Sequence, residues 1–271
     1  MKFLNIYLFI INVSILGSIL YIPKMSIGQE EWEKLIPNNI FDTIPKQLVI
    51  IGDDRSGSTI RIKKLSLEDY GRLFSRLSEN GGAYVQILLI GNPKPLSYSP
   101  ITLLIKCKLH HIIPPPDCKE NKILSCLLKV KNINDNIDKY NIRAENHNRR
   151  ELSAKLSLIK SNIIEYSSLN NYDLTDLDDV LKRINITLLD AKKDVYSKES
   201  IILITDGWNE PKRNGRKPLE IKIDNSDPNI RFILVGWENE TNDCKYILSR
   251  STTRRFLSID DLFNNSNLFK N

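Results

Sequence analysis

The sequence predicts an α/β domain with a Rossmann-like, doubly wound, mostly parallel sheet and helices on both faces. Three observations predict it. The strand-like segments are continuous apolar runs, as expected of strands buried on both faces, and do not alternate with polar residues. They take turns along the chain with amphipathic helical segments. Several of them stop abruptly at Asp or Gly, where a parallel strand hands over to a loop.

The elements follow in order. "QLVII" (47–51) is rich in β-branched residues and reads as a buried strand. After the loop "DDRSGST", Leu65, Leu67, Leu73, Phe74 and Leu77 fall on one helical face, and Asn80-Gly81-Gly82 ends that helix. "AYVQILLIG" (83–91) is a second strand, broken by Asn92-Pro93, and "ITLLIKC" (101–107) a third. Residues 108–122 form a Pro-broken loop. From 123 to 168 a mixed-charge stretch with Ile and Leu at helical spacings predicts an extended helix solvated on one side. A helix over 175–191 carries the stripe Leu177, Val180, Leu181, Ile184 and Leu188. "SIILITDG" (200–207) and "IRFILVGW" (230–237) are strands. A helix at 242–251, a short strand "RRFLSI" (254–259) and a helix in "DDLFNNSNLF" complete the chain.

With 271 residues the chain can bury a sizeable core. Its formal charge is +6, but Lys and Arg are interleaved with Asp and Glu, which reads as a solvated surface. No pattern of aromatic and basic residues points to a nucleic-acid-binding fold. Residues 1–28 differ from the rest: Lys2 precedes about twenty mostly apolar residues ending at Ile22, the length of a short membrane span. Ser26 and Gly28 stand at −3 and −1 before Gln29, a small-residue cleavage pattern. The segment is expected to be a signal peptide or membrane anchor. The chain is then exported to a periplasmic, cell-envelope or membrane-anchored location, with membrane association if the leader is retained. The domain spans 45–268, with an insertion or extended helical region at 108–168.

Of four cysteines, Cys107, Cys118 and Cys126 lie close together, and in an exported chain one disulfide among them is expected. "CKLHHIIPPPDC" adds His110 and His111, but its spacing matches no regular zinc module.

The chemistry concentrates at strand ends, where open α/β sheets bind ligands. The first strand ends in Asp54-Arg55-Ser56-Gly57-Ser58, a later one in Thr205-Asp206-Gly207, and Thr175 precedes an amphipathic helix. Carboxylates and hydroxyls are hard oxygen donors, suited to Mg²⁺, which takes few carboxylates and keeps several waters. Each piece has an ordinary alternative. The Asp and Ser residues could make a polar turn, and Thr175 could be a helix N-cap with Asp178 three residues on.

In this order and at these positions the motifs resemble those of the von Willebrand factor type A domains, also called integrin I-type domains, over residues 45–268. The resemblance rests on "VIIGDDRSGST", Thr175, "ILITDG", "IRFILVGW" and "RRFLSIDDLF". It implies a metal-ion-dependent adhesion site. Ser56, Ser58 and Thr175 would supply hydroxyl ligands, and Asp54 and Asp206 would act directly or through water. The cofactor implied is Mg²⁺ or Mn²⁺, and the partner a protein presenting Asp or Glu. Gly57 and Gly207 join Arg55 as candidate partner-binding positions. Arg55 is expected to stand beside Asp54 and favour its ionised form. The sequence departs from the family in the long gap between the acidic motifs, which falls at 108–168, and in the approach "SLNNYDL" to Thr175.

The resemblance implies binding rather than catalysis. A hydrolase would need a base near Ser56 or Ser58, yet His110, His111 and His147 all fall in the inserted region, and there is no Gly-x-Ser-x-Gly elbow or phosphate-binding loop. The competing reading is an anionic-surface or nucleic-acid binder using the basic loop "PKRNGRKP" (211–218).

Overall fold

The computed structural model describes residues 47–56, 64–91, 100–114, 124–168, 175–191, 196, 198–210, 215–223 and 230–265. The segment 1–28 expected to be a signal peptide or anchor, Gly57, Ser58, Cys118 and residues 211–214 lie outside them. Six strands form one sheet: β1 (Gln47–Asp54), β2 (Ala83–Ile90), β3 (Ile101–Ile105), β4 (Lys198–Ile204), β5 (Arg231–Val235) and β6 (Arg254–Phe256). Their order is β3-β2-β1-β4-β5-β6, and only the β2–β3 pairing is antiparallel. The helices are α1 (Leu67–Glu79), α2 (Leu124–Ser168), α3 (Leu177–Ala191), α4 (Lys245–Leu248) and α5 (Ile259–Asn264). A 3₁₀ turn (Asn242–Cys244) leads into α4, so the helix expected at 242–251 is split and shorter.

Every residue of β1 is buried, which is why its run of apolar residues is unbroken. Alternate residues of a strand point to opposite faces, and the two cores follow that parity. Val49 and Ile51 share a cluster with Tyr70, Leu73 and Phe74 of α1, Ile159 of α2 and Leu262 of α5. Leu48 and Ile50 share another with Leu177, Val180, Leu181 and Ile184 of α3 and Ile247 of α4. The α1 N-terminus is a capping box: Asp69 N donates to Ser66 Oγ at 3.1 Å, and Ser66 N donates to Asp69 Oδ2 at 2.9 Å.

The 45 residues of α2 make a rod of about 67 Å at 1.5 Å per residue. The chain leaving β3 runs along it as an extended strap over residues 106–112. Three asparagines hold the strap by its main chain alone. The Oδ1 atoms of Asn148, Asn141 and Asn134 accept from the N–H of Lys106, Leu109 and Ile112 at 2.8, 2.9 and 2.8 Å. Their Nδ2 atoms donate to the carbonyls of the same residues at 2.9, 2.9 and 3.1 Å. The spacings match: seven helical residues rise about 10.5 Å, and three extended residues cover about 10 Å.

Of the cysteines, Cys126 is disulfide-bonded, as expected within that group, while Cys107 and Cys244 are free. The Cys107 thiol lies 3.6 Å from the Tyr140 hydroxyl. His111 Nε2 lies 2.7 Å from Asp138 Oδ1 on the exposed side of the strap. No described helix is long and apolar enough to cross a membrane.

Candidate cation site

Strand order reverses between β1 and β4, and the loops leaving a parallel sheet separate most at such a switch point. Both adjoining strands end in acids there. Asp54 closes β1, and Thr205 and Asp206 follow β4. All three are buried, with Ser56 and Thr175 fully so.

The loop after β1 folds back on its own carboxylate: Ser56 N donates to Asp54 Oδ1 at 2.8 Å. The other oxygen, Oδ2, accepts from Thr205 Oγ1 at 2.7 Å, which links the ends of β1 and β4. Thr175 completes the group, its Oγ1 donating to Ser56 Oγ at 2.7 Å. Thr175 is not the cap of α3. Asp176 Oδ1 accepts from Asp179 N at 3.0 Å and does that work, leaving the Thr175 hydroxyl to the loop after β1.

The segment after Asp206 positions Thr175. Thr175 and Glu210 exchange main-chain hydrogen bonds at 3.1 and 2.7 Å. Asn209 Oδ1 accepts from Leu177 N, and its Nδ2 donates to Asp178 Oδ2. The three loops are therefore bonded to one another directly. Two glycines allow the close packing. Gly91, at φ +104°, lies so near Ser56 that a Cβ would sit 2.8 Å from its main-chain nitrogen. Gly207, at φ +81°, packs on the Trp237 indole, where a Cβ would come within 2.6 Å of the ring. Gly207 thus has a packing role irrespective of any partner.

The electrostatics are those of buried acids close together. Burial pushes the Asp206 carboxyl up to about 6; the Asp54 and Glu210 charges add to this, while Trp208 N–H and Arg216 oppose it. Burial also raises Asp54, against hydrogen bonds from Ser56 and Thr205.

Arg55 corrects an expectation. Its guanidinium turns to Asp53, with Nε donating to Oδ2 at 2.9 Å and Nη2 bonding the same oxygen. It also donates to the Leu65 carbonyl at 2.7 Å, and Tyr70 Oη donates to Asp53 Oδ2 at 2.6 Å. Neighbouring strand residues face opposite ways, so Asp53 and Asp54 lead to different sides of the sheet. Arg55 is 8% exposed and belongs to the support beneath the site. The cation that acts on Asp54 is Lys64, whose Nζ donates to the carbonyls of Arg55 and Ser56 at 3.0 and 3.1 Å.

Asp54, Ser56, Thr175 and Asp206 are thus gathered at one place, and Thr205, Lys64 and Asn209 are residues that motif reading missed. Thr205 had a signal in standing next to Asp206; Lys64 and Asn209 had none. Beyond Asp206, Arg216 pairs with Glu210 at 3.1 Å and lies 4.2 Å over the Trp208 ring. Among the described residues no three His, Cys, Asp or Glu side chains gather as a metal group, so any cation here would be held largely by hydroxyls and water. No family model matches the chain, and no curated protein matches it.

Proposed function

We propose that the chain is a divalent-cation-dependent protein-binding module of the cell envelope, with a metal-ion-dependent adhesion site of the von Willebrand factor type A kind. The observation that carries this reading is the pair of direct bonds from Thr175 to Ser56 and from Thr205 to Asp54, which join three separate sequence motifs at a strand switch point. The donor set fits Mg²⁺ or Mn²⁺. It consists of oxygen atoms only, with two carboxyls whose burial calls for a compensating positive charge.

Asp54, Ser56, Thr175 and Asp206 would hold the ion, together with Ser58, which lies outside the described residues. A bound divalent ion would offer a coordination position to an Asp or Glu of the partner. This chain's own residues keep the donors in place: Lys64 ties down the loop carbonyls, Thr205 orients Asp54, and the Asn209–Glu210 segment holds Thr175. Binding through the 211–218 loop has less support, because Arg216 is already engaged by Glu210 and Trp208.

Calorimetric titration with Mg²⁺ and Mn²⁺ tests the reading. Saturable binding that Asp54→Ala and Ser56→Ala abolish, with the fold retained, supports it. An unmodified chain that binds neither ion, alone or with an acidic peptide, sinks it.

A further inference from the structure

The loop after β1 carries a fixed ammonium. Lys64 Nζ donates to the carbonyls of Arg55 and Ser56 at 3.0 and 3.1 Å, and the side chain is half-buried. The two residues that follow anchor its main chain. Leu65 lies in the core, and its carbonyl accepts from Arg55 at 2.7 Å. Ser66 is the N-cap of α1, closed by Asp69. Lys64 is therefore held at both its main chain and its ammonium, unlike a lysine that swings in solvent.

Arg55 and Lys64 both touch this loop, and the fold sends their charges to different acids. Arg55 closes on Asp53, which Tyr70 of α1 also bonds. The charge of Lys64 acts on Asp54. Its bonds to the two carbonyls go to neutral oxygens, so they orient the ammonium without cancelling its charge. One of those carbonyls belongs to Ser56, whose hydroxyl accepts from Thr175 within the candidate site. A charge bonded to that residue acts on whatever the hydroxyl holds, well inside the screening length of about 8–10 Å in dilute salt.

We propose that Lys64 sets how the site divides its hold between ion and partner: its fixed charge weakens the grip on the divalent ion and strengthens the grip on the partner's carboxylate. The inference rests on the adhesion reading above and deepens it. Like charges repel, so the ammonium opposes an ion held by Ser56 and Asp54. The same charge attracts an acidic group that arrives at the ion. It also supplies part of the compensation that buried Asp54 calls for, which helps the loop keep its shape before an ion arrives. A lysine that only tied the loop down would act otherwise. Its removal would loosen the donors and weaken both binding events together. The signs of the two effects separate the roles.

The test is calorimetry on the full chain, with Mg²⁺ alone and then with the peptide acetyl-Gly-Glu-Gly-amide at saturating Mg²⁺. Lys64→Gln removes the charge and keeps an amide donor, while Lys64→Arg keeps the charge and the donors. Melts in chelator check that each variant is folded. Lys64→Gln is expected to bind Mg²⁺ about fivefold more tightly and the peptide about threefold more weakly. Both differences are expected to shrink as salt rises from about 0.05 to about 0.5 M. Lys64→Arg is expected to stay within about twofold of the unmodified chain for both ligands. Weaker binding of both ligands by Lys64→Gln, or no change in either, would overturn the proposal and leave the adhesion reading standing. Absence of Mg²⁺ binding by the unmodified chain and by Lys64→Gln alike, with or without the peptide, would sink the adhesion reading and the proposal with it.

Discussion

The hydroxyl of Thr175 donates to that of Ser56 at 2.7 Å, although 119 residues separate them. Both side chains are fully buried, and neither belongs to a regular strand or helix. The bond depends on the placement of two loops, which β1 and the Thr175–Glu210 bridge hold in register.

Thr175→Val keeps the shape and removes the donor. It is expected to leave the melting temperature within a few degrees, because one neutral hydrogen bond contributes about 1 kcal/mol net. Mg²⁺ affinity is expected to fall about tenfold or more, as for loss of a ligand or its supporting group. Calorimetry beside thermal melts separates the two effects. An unchanged affinity would remove Thr175 from the cation set.

The buried acids make stability depend on pH in a defined direction. The Asp206 carboxyl titrates at about 6 in the fold, against an ordinary value of 3.8. A carboxyl that holds its proton more tightly when folded contributes stability that is present in full below about pH 4 and lost as pH rises through about 6. Raised Asp54 acts in the same sense. Added Mg²⁺ is therefore expected to raise the melting temperature at about pH 7.5 and to have little effect at about pH 5, where protons compete for the same oxygens. Asp206→Asn should flatten this difference. Melts with and without Mg²⁺ across the range give the check.

Gly91→Ala tests the packing under the site. An alanine would be forced to a positive φ, costing about 1–2 kcal/mol, and its methyl would press on the Ser56 main chain. Both stability and cation affinity should fall. Gly71→Ala is the control, since a Cβ there meets nothing within 4 Å. Equal behaviour of the two variants in denaturant titrations would contradict the close approach.

The asparagine ladder predicts an order of severity. Asn141→Leu leaves the Leu109 N–H and carbonyl without their partner, at about 1–3 kcal/mol per buried group, less where water reaches it. Asn141→Asp keeps the acceptor for the N–H but sets a carboxylate oxygen against the Leu109 carbonyl. Both are expected to destabilise, and hydrogen exchange should quicken at Leu109 in the Leu variant more than in the Asp variant. Exchange measured by residue would show whether the middle rung behaves so.

Much of the fold was legible in the sequence for a physical reason. Strands covered on both faces must be apolar at every position, so "QLVII", "SIILI" and "RFILV" announced themselves without alternation. The stripe of α3 was legible because a helix buries one face at a period of 3.6. Asp54, Ser56, Thr175 and Asp206 could be nominated because loops at strand ends carry side chains that packing does not require. The ladder was readable in principle, since Asn134, Asn141 and Asn148 repeat every seven residues, but asparagines at that spacing do not indicate what they hold. The direction of Arg55 was not readable at all. Asp53 and Asp54 are adjacent and chemically identical, and only the pleat of β1 decides which of them faces Arg55 and Tyr70. The sequence by itself determined the alternation of elements, their boundaries to within a few residues and the chemistry available at the strand ends. The tertiary structure alone decided which oxygens meet, which cation acts on which carboxylate and where the long helix points, because each is a relation between segments far apart in the chain.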